Sequence, residues 1–326
     1  NSNFFYIDNN DNVISIFPIV KFNLFFDEKN LKNILVSKGK FFTMPYSLNW
    51  NKNFKNNKSS TFFKIKKLSL KVENFSELVN SDLLLKNFIF FRNMEIETDI
   101  LIKKNLIEIK SVDKSKVKNN SLSYQGTIEL NPFNLNTDLN IRKLDFKKSI
   151  FNNDLIRNFF EMKHLYNKNL SSKINLKIDN LIKNKLFNSS NIFINSKNGD
   201  INFNNTNFIG NTGNLNLINS NIENYKDDLI FKGNFLFNIV SKNEFYRLFQ
   251  IGKKNRKDIN NIYFNLEYNL TKNKFEISNL VFEPGQSKND NELFELLNSY
   301  SNVSKNYTWI DFKIFVNKIF TNHYEG

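Results

Sequence analysis

The feature that most constrains this chain is a side-chain period of two. Ile262, Phe264, Leu266, Tyr268 and Leu270 share one side, and Tyr263, Asn265, Glu267 and Asn269 share the other. Successive side chains of an extended strand point to opposite faces, so the segment reads as a half-buried strand. The same period runs through Ile174, Leu176, Ile178; Ile192, Ile194; Ile201, Phe203; Leu215, Leu217; and Phe235, Phe237, Ile239. Between these runs lie turn signals: Asn198-Gly199-Asp200, Gly210-Asn211-Thr212-Gly213, Asp227-Asp228 and Thr271 to Lys274. Strands thus recur about every 8–12 residues from 172 to 282, the spacing of an antiparallel meander. Helical spacing appears in four places. Ser241 and Glu244 form a capping box ahead of Phe245, Leu248 and Phe249, with Gly252 as the expected stop. Asp290 caps a candidate carrying Leu293, Leu296, Leu297 and Tyr300. The tail aligns Trp309, Phe312, Val316, Ile319 and Phe320, and Asn153–Lys163 holds a fourth apolar stripe.

The first half is less regular. Phe62 to Val72 and Phe88 to Ile109 are strand-like, while Lys110 to Asn120 is Lys-rich and reads as a loop. We expect a mainly β fold: an extended, curved antiparallel sheet, as a meander, open groove or sandwich, with three or four short amphipathic helices. A soft boundary near 150–170 separates an N-terminal β-rich region, 1–150, from a β-meander with closing helices, 151–326.

Composition narrows the chemistry. Phe occurs 36 times, and each ring carries a large apolar area suited to strands. With 9 Gly and 4 Pro, turns must rely on Asn, Asp and Ser. The formal charge of +14 points toward an anionic partner, but the basic residues are mostly Lys, with Arg only at 92, 142, 157, 247 and 256. Arg is the residue for bidentate phosphate recognition, so the charge reflects an AT-rich coding composition more than nucleic-acid binding. No cysteine is present, which excludes disulfides and thiolate metal sites. No run of 18 apolar residues exists to form a spanning helix. The chain opens on Asn1, and we read it as an excerpt or processed form with room for an upstream anchor.

No catalytic constellation emerges. His164 and His323 lack carboxylates at ligand spacing and read as surface histidines; there is no Gly-x-Ser-x-Gly turn and no phosphate-cradling glycine loop. Glu95, Glu97 and Asp99 alternate as a solvated strand face rather than a glycosidase pair. We expect no enzyme, cofactor or metal. Lys253, Lys254, Arg256 and Lys257 follow the Ser241 helix. They read as a solvated turn that complements the helix C-terminus, or as a contact with anionic lipid headgroups worth about 1 kcal/mol per basic residue. The Trp309 helix reads as docked on an open end of the sheet in preference to lying on a membrane.

From Gly126 to Gly326 the order of elements carries a resemblance. The chain reads Gly-Thr-Ile-Glu-Leu-Asn-Pro-Phe (126–133), a strand pair, a helix and a β-meander. Then come Phe-Tyr-Arg-Leu-Phe-Gln-Ile-Gly-Lys-Lys-Asn-Arg-Lys (245–257), Ile-Tyr-Phe-Asn-Leu-Glu-Tyr-Asn-Leu (262–270) and a closing amphipathic helix. This resembles the C-terminal region of AsmA-like bacterial envelope proteins, in pattern and phrasing rather than through an invariant signature. The resemblance implies an inner-membrane anchor, a long periplasmic β-sheet with an apolar groove, and phospholipid traffic toward the outer membrane of a Gram-negative cell. It transfers no catalytic residue. An acyl chain of about a dozen methylenes gains on the order of 10 kcal/mol when removed from water. About five strands at ~4.8 Å spacing match its length. Phe203, Leu217, Phe237, Phe264 and Leu266 are then the expected lining, with phospholipid as the partner. The alternative is a structural or adhesive all-β protein in which these residues form a sealed core.

Overall fold

The computed structural model describes residues 2–7, 13–41, 44–91, 94–112, 116–117, 120–145, 169–225, 228–272, 274–284, 286–287 and 309–325. The chain divides into two units, Asn1–Arg142 and Lys143–Gly326. Both are mainly β.

The first unit is an antiparallel meander. Its strands are β1 (Ser2–Ile7), β2 (Val13–Asp27), β3 (Lys32–Phe41), β4 (Met44–Asn53), β5 (Lys58–Ile65), β6 (Leu70–Val79), β7 (Asp82–Phe91), β8 (Met94–Ile102) and β9 (Leu106–Ser111). A short β10 (Lys116–Val117) precedes β11 (Asn120–Leu130) and β12 (Phe133–Ile141). Each strand from β1 to β9 pairs with the next, β9 pairs with β11, and β11 pairs with β12. Beyond the end of β9, β10 pairs with both β8 and β11. The segment 110–120 is thus part strand, because both flanking strands outrun β9 and leave backbone groups to be paired.

Among the described residues of this unit the hairpin turns do without glycine. At the β6–β7 hairpin, Asn80 and Ser81 take φ of 49° and 75° between the paired Val79 and Asp82. This is the twist-matched two-residue turn that usually recruits Gly. The Asp27 side chain accepts from the Asn30 backbone N–H at 3.1 Å, and Asn53 accepts from Lys55 N–H at 2.9 Å. The Phe62–Val72 stretch is broken by a 3₁₀ turn, Lys66–Leu68, which Ser69 closes at φ 51°.

The second unit repeats the meander with β13 (Ser171–Ile178), β14 (Ser189–Lys197), β15 (Asp200–Asn202), β16 (Asn207–Ile209), β17 (Gly213–Tyr225), β18 (Asp228–Ile239), β19 (Asn261–Asn269) and β20 (Lys274–Glu283). The short β15 and β16 each pair with both β14 and β17, so together they fill one strand position. Asn198 and Gly199, at φ 56° and 87°, make the expected Asn-Gly turn. Two helices follow the strands they cover: α1 (Lys242–Leu248) after β18, and α2 (Trp309–Lys318), which runs on into a π turn, Ile319–His323.

Two α-helices stand among the described residues, against three or four expected; the candidates at 153–163 and behind Asp290 lie outside them. The Ser241 cap is present, its hydroxyl accepting from Glu244 N–H at 3.4 Å. The stop is not Gly252. Gln250 takes the left-handed conformation at φ 56°, donating to Arg247 O at 3.2 Å while Ile251 N–H donates to Tyr246 O at 2.9 Å. These two bonds form a Schellman motif, and Ile251, 1% exposed, anchors it. Burial of Ile251 compensates the cost of a non-glycine residue at this position.

The main core lies where α1 and α2 pack on one end of the β17–β20 face. Phe245, Phe249, Phe315, Ile319 and Phe320 from the helical segments meet Phe237 and Phe282 from the sheet. Phe320 touches Phe245 at 5.5 Å and Phe282 at 5.6 Å between ring centroids.

Candidate functional site

Strand register turns the period of two into continuous faces. In the second unit Phe208, Leu215, Phe237, Ile262 and Phe282 lie in one row, linked pair by pair from β16 to β20. Leu217, Phe235 and Phe264 form the next row. On the same face of β13 and β14, Ile174 opposes Ile194 and Leu176 opposes Ile192.

Bulges keep this face apolar where the sequence changes parity. Ile218 is extra in β17, so Leu215 and Leu217 hand over to Ser220 and Ile222 while Ile218 is turned out. In β20 an extra residue separates Val281 from Ser278, and Asn279 absorbs it at φ 51°, placing Phe282, Leu280, Ile277 and Phe275 on the same side.

The five expected lining residues share this face and differ in cover. Leu217 and Phe237 are buried; Phe203, Phe264 and Leu266 are half-buried. Phe203 packs against Phe231 at 5.9 Å, beside the small cluster of Ile201, Ile222 and Leu229. Phe264 stacks on Phe235 at 5.1 Å and 7°.

Under the two helices the packing is incomplete. A partly open cavity of about 280 Å³ is enclosed by apolar side chains alone, among them Leu215, Phe264, Leu280, Phe249, Phe312 and Val316. Its volume is about twice the ~150 Å³ void that accepts benzene in a small protein.

The basic cluster is partly committed to structure. Arg256 Nε donates to Ile251 O at 3.1 Å, and its guanidinium lies 5.7 Å from the Tyr246 ring centroid. Lys257 lends its carbonyl to the Tyr246 hydroxyl. Burial, and secondarily Asp258, raises the Tyr246 phenol above its ordinary pKa. Lys253 and Lys254 stand exposed on a 3₁₀ turn. The cluster therefore staples the α1 exit, and two lysines remain outward.

The larger apolar surface is one the sequence reading missed. In the first unit Leu48, Phe63, Val72, Ile89 and Ile96 are consecutive partners from β4 to β8. A second apolar row joins Leu85, Ile100 and Ile109. Between them runs a row of short polar side chains, Thr61, Asn74, Asn87, Thr98 and Ser111, each opposite the next. Asn74 Nδ2 donates to Asn87 Oδ1, and Thr98 hydrogen-bonds the Tyr124 hydroxyl. Ser111 Oγ accepts from Tyr124 N–H at 2.9 Å, and burial raises the Tyr124 phenol. Asn87 Nδ2 is buried without a partner among the described residues.

This face is poorly covered. Of the first unit's described apolar side chains only Ile19, Ile65 and Leu122 are buried. On β2, Phe22, Leu24 and Phe26 continue the face at 54%, 58% and 50% exposure. From Leu48 to Ile96 the row is half-buried, so the exposed part of this face lies on β2; exposed apolar patches of this kind are typical of interaction surfaces. The sequence signal was the parity of Leu48, Phe63, Val72 and Ile89, interrupted from β5 onward by the polar row.

Glu95 and Asp99 lie exposed on the opposite face of β8, as a solvated strand requires. Among the described residues no group of three His, Cys, Asp or Glu side chains could hold a metal ion, and no helix is long and apolar enough to cross a membrane. His164 lies outside the described residues. No family model matches the chain, and no curated protein matches it.

Proposed function

We propose that this protein is a non-enzymatic lipid carrier of the cell envelope, holding or passing phospholipid acyl chains along the apolar faces of its sheets. The observation that carries this reading is the apolar face of the first unit, exposed at Phe22 and Leu24 and half-buried from Leu48 through Val72 to Ile96. Strands β2 to β9 are eight consecutive partners, and at ~4.8 Å per strand they extend roughly 34 Å, longer than one acyl chain. Each methylene laid on such a surface and removed from water gains about 0.8 kcal/mol, with no specific contact needed. The mechanism is passive: tails slide over neighbouring strands while headgroups stay hydrated. Curvature of the sheet into a groove, a periplasmic location and an inner-membrane anchor of the AsmA-like kind belong to this same proposal.

Mass spectrometry of the purified chain tests it, together with transfer of a fluorescent phospholipid between vesicles. Stoichiometric co-purified phospholipid and accelerated transfer are expected. A stable, delipidated protein that takes up no lipid would sink the proposal. The second reading, a structural or adhesive all-β protein, is favoured by one observation: the helix-covered end of the second unit gathers ten buried apolar side chains, among them Phe245, Phe282 and Phe320. It is tested by the same delipidated sample, which would then retain its full thermal stability.

A further inference from the structure

We infer that the cavity beneath α1 and α2 is a seat for the methyl end of one acyl chain, and that the two helices form an end stop on the apolar face of the second unit. This rests on the lipid-carrier reading and deepens it, because it assigns one discrete site on an otherwise continuous surface.

Three observations combine. The cavity wall holds no polar residue: Leu215, Phe264 and Leu280 form the sheet side, and Phe249, Phe312 and Val316 the helix side. A ligand group seated there must itself carry no hydrogen-bonding atom, because an unpaired polar group would lose its water and gain no partner. That selects the hydrocarbon end of a lipid over its headgroup, glycerol or ester region. The volume of about 280 Å³ suits one tail segment of about a dozen carbons, on the scale set by benzene in a ~150 Å³ void. Finally, the cavity is partly open, and Phe264, one of its walls, also stacks on Phe235, which lies on the same face outside the cavity lining. Phe237, Phe245, Phe282 and Phe320, each 8% exposed or less, also line the cavity and form its inner wall. A tail moving along the face therefore enters the cavity end-on and stops.

A reporter is built in. Trp309 lies against Phe249 at 6.0 Å and Phe312 at 5.8 Å, both cavity walls. The other tryptophan, Trp50, is in the first unit. In a Trp50→Phe background the full chain would be titrated with two stearic acids, one brominated next to the methyl end and one next to the carboxylate. Bromine quenches indole fluorescence on contact. Strong quenching of Trp309 by the first and little by the second is expected. A Leu280→Phe variant, which puts a ring into the cavity, should abolish the quenching while keeping or raising the thermal midpoint. Lipid co-purified with that variant should persist on the remaining faces. Equal quenching by both acids, or none in a protein that co-purifies with lipid, overturns the end stop and leaves the carrier reading intact. Methyl-end quenching in a protein that carries no phospholipid overturns the carrier reading and leaves an isolated fatty-acyl site.

Discussion

Phe282 and Phe264 are chemically identical and sit on adjacent strands of one face, yet their replacement by Ala should have very different consequences. Phe282 is 1% exposed, is held against Phe320 at 5.6 Å and opposes Ile262. Deleting a fully buried ring removes its transfer energy and leaves a void, at a cost of about 3–5 kcal/mol. In a unit of this size each kcal/mol shifts the midpoint by about 2–4 °C, so Phe282→Ala should melt roughly 6–20 °C lower. Phe264 is only half-buried and already borders a cavity. About half of a ring's burial is at stake there, on the order of 1–2 kcal/mol, or roughly 2–8 °C. Differential scanning calorimetry on both variants, with urea unfolding to check that the slope is unchanged, measures the contrast. Equal losses at the two positions would refute the argument that the core is localised under the helices. So would a Phe282→Ala loss under about 0.5 kcal/mol, since that is the range of surface substitutions.

Leu24→Glu on the exposed β2 face should reduce phospholipid bound per chain while moving the thermal midpoint little; lipid phosphorus assay with calorimetry checks both. Replacing Gly199, at φ 87°, by Val should destabilise the β14–β15 turn by about 1–2 kcal/mol, read from the urea midpoint. The Asp228 carboxylate, hydrogen-bonded by Lys272, is held below its ordinary 3.8, and Glu223, hydrogen-bonded by Lys232, below its ordinary 4.5. Their contribution is present above those ordinary values and lost as pH falls through the lowered ones. The urea midpoints of wild type and an Asp228→Asn, Glu223→Gln variant should thus differ at neutral pH and converge in acid below 3.8. Replacing Asn74 and Asn87 together by Val should cost less than Asn87→Ala alone, because the single change leaves the Asn74 Nδ2 without its acceptor whereas in the double the pair leaves together; denaturant unfolding of the three proteins tests it.

Much of the second unit was legible because its strands carry unbroken alternation: Ile174–Ile178, Phe235–Ile239 and Ile262 to Asn269 became strands, with Leu270 in the turn that follows. The α1 cap was legible at Ser241 and Glu244 for the same local reason. The first unit was harder because Thr61, Asn74, Asn87 and Thr98 occupy apolar-face positions and break the pattern within each strand. Only lateral register shows that these interruptions align into one row. The α1 stop was misread because Gly252 is a strong local signal, whereas Gln250 is left-handed for the sake of a distant contact, the burial of Ile251.

The sequence by itself determined which residues extend, which turn, and which side chains share a face, since backbone geometry sets the period of two and Asn and Ser tolerate the turn conformations. The tertiary structure alone decided which apolar residues are covered. Phe22 and Leu24 have the same local pattern as Phe237 and Phe282, yet the first pair is more than half exposed and the second nearly sealed. The physical reason is that cover comes from elements remote in the chain. The α2 helix closes over strands it does not adjoin, and a local pattern of apolar residues carries no information about what will pack on it.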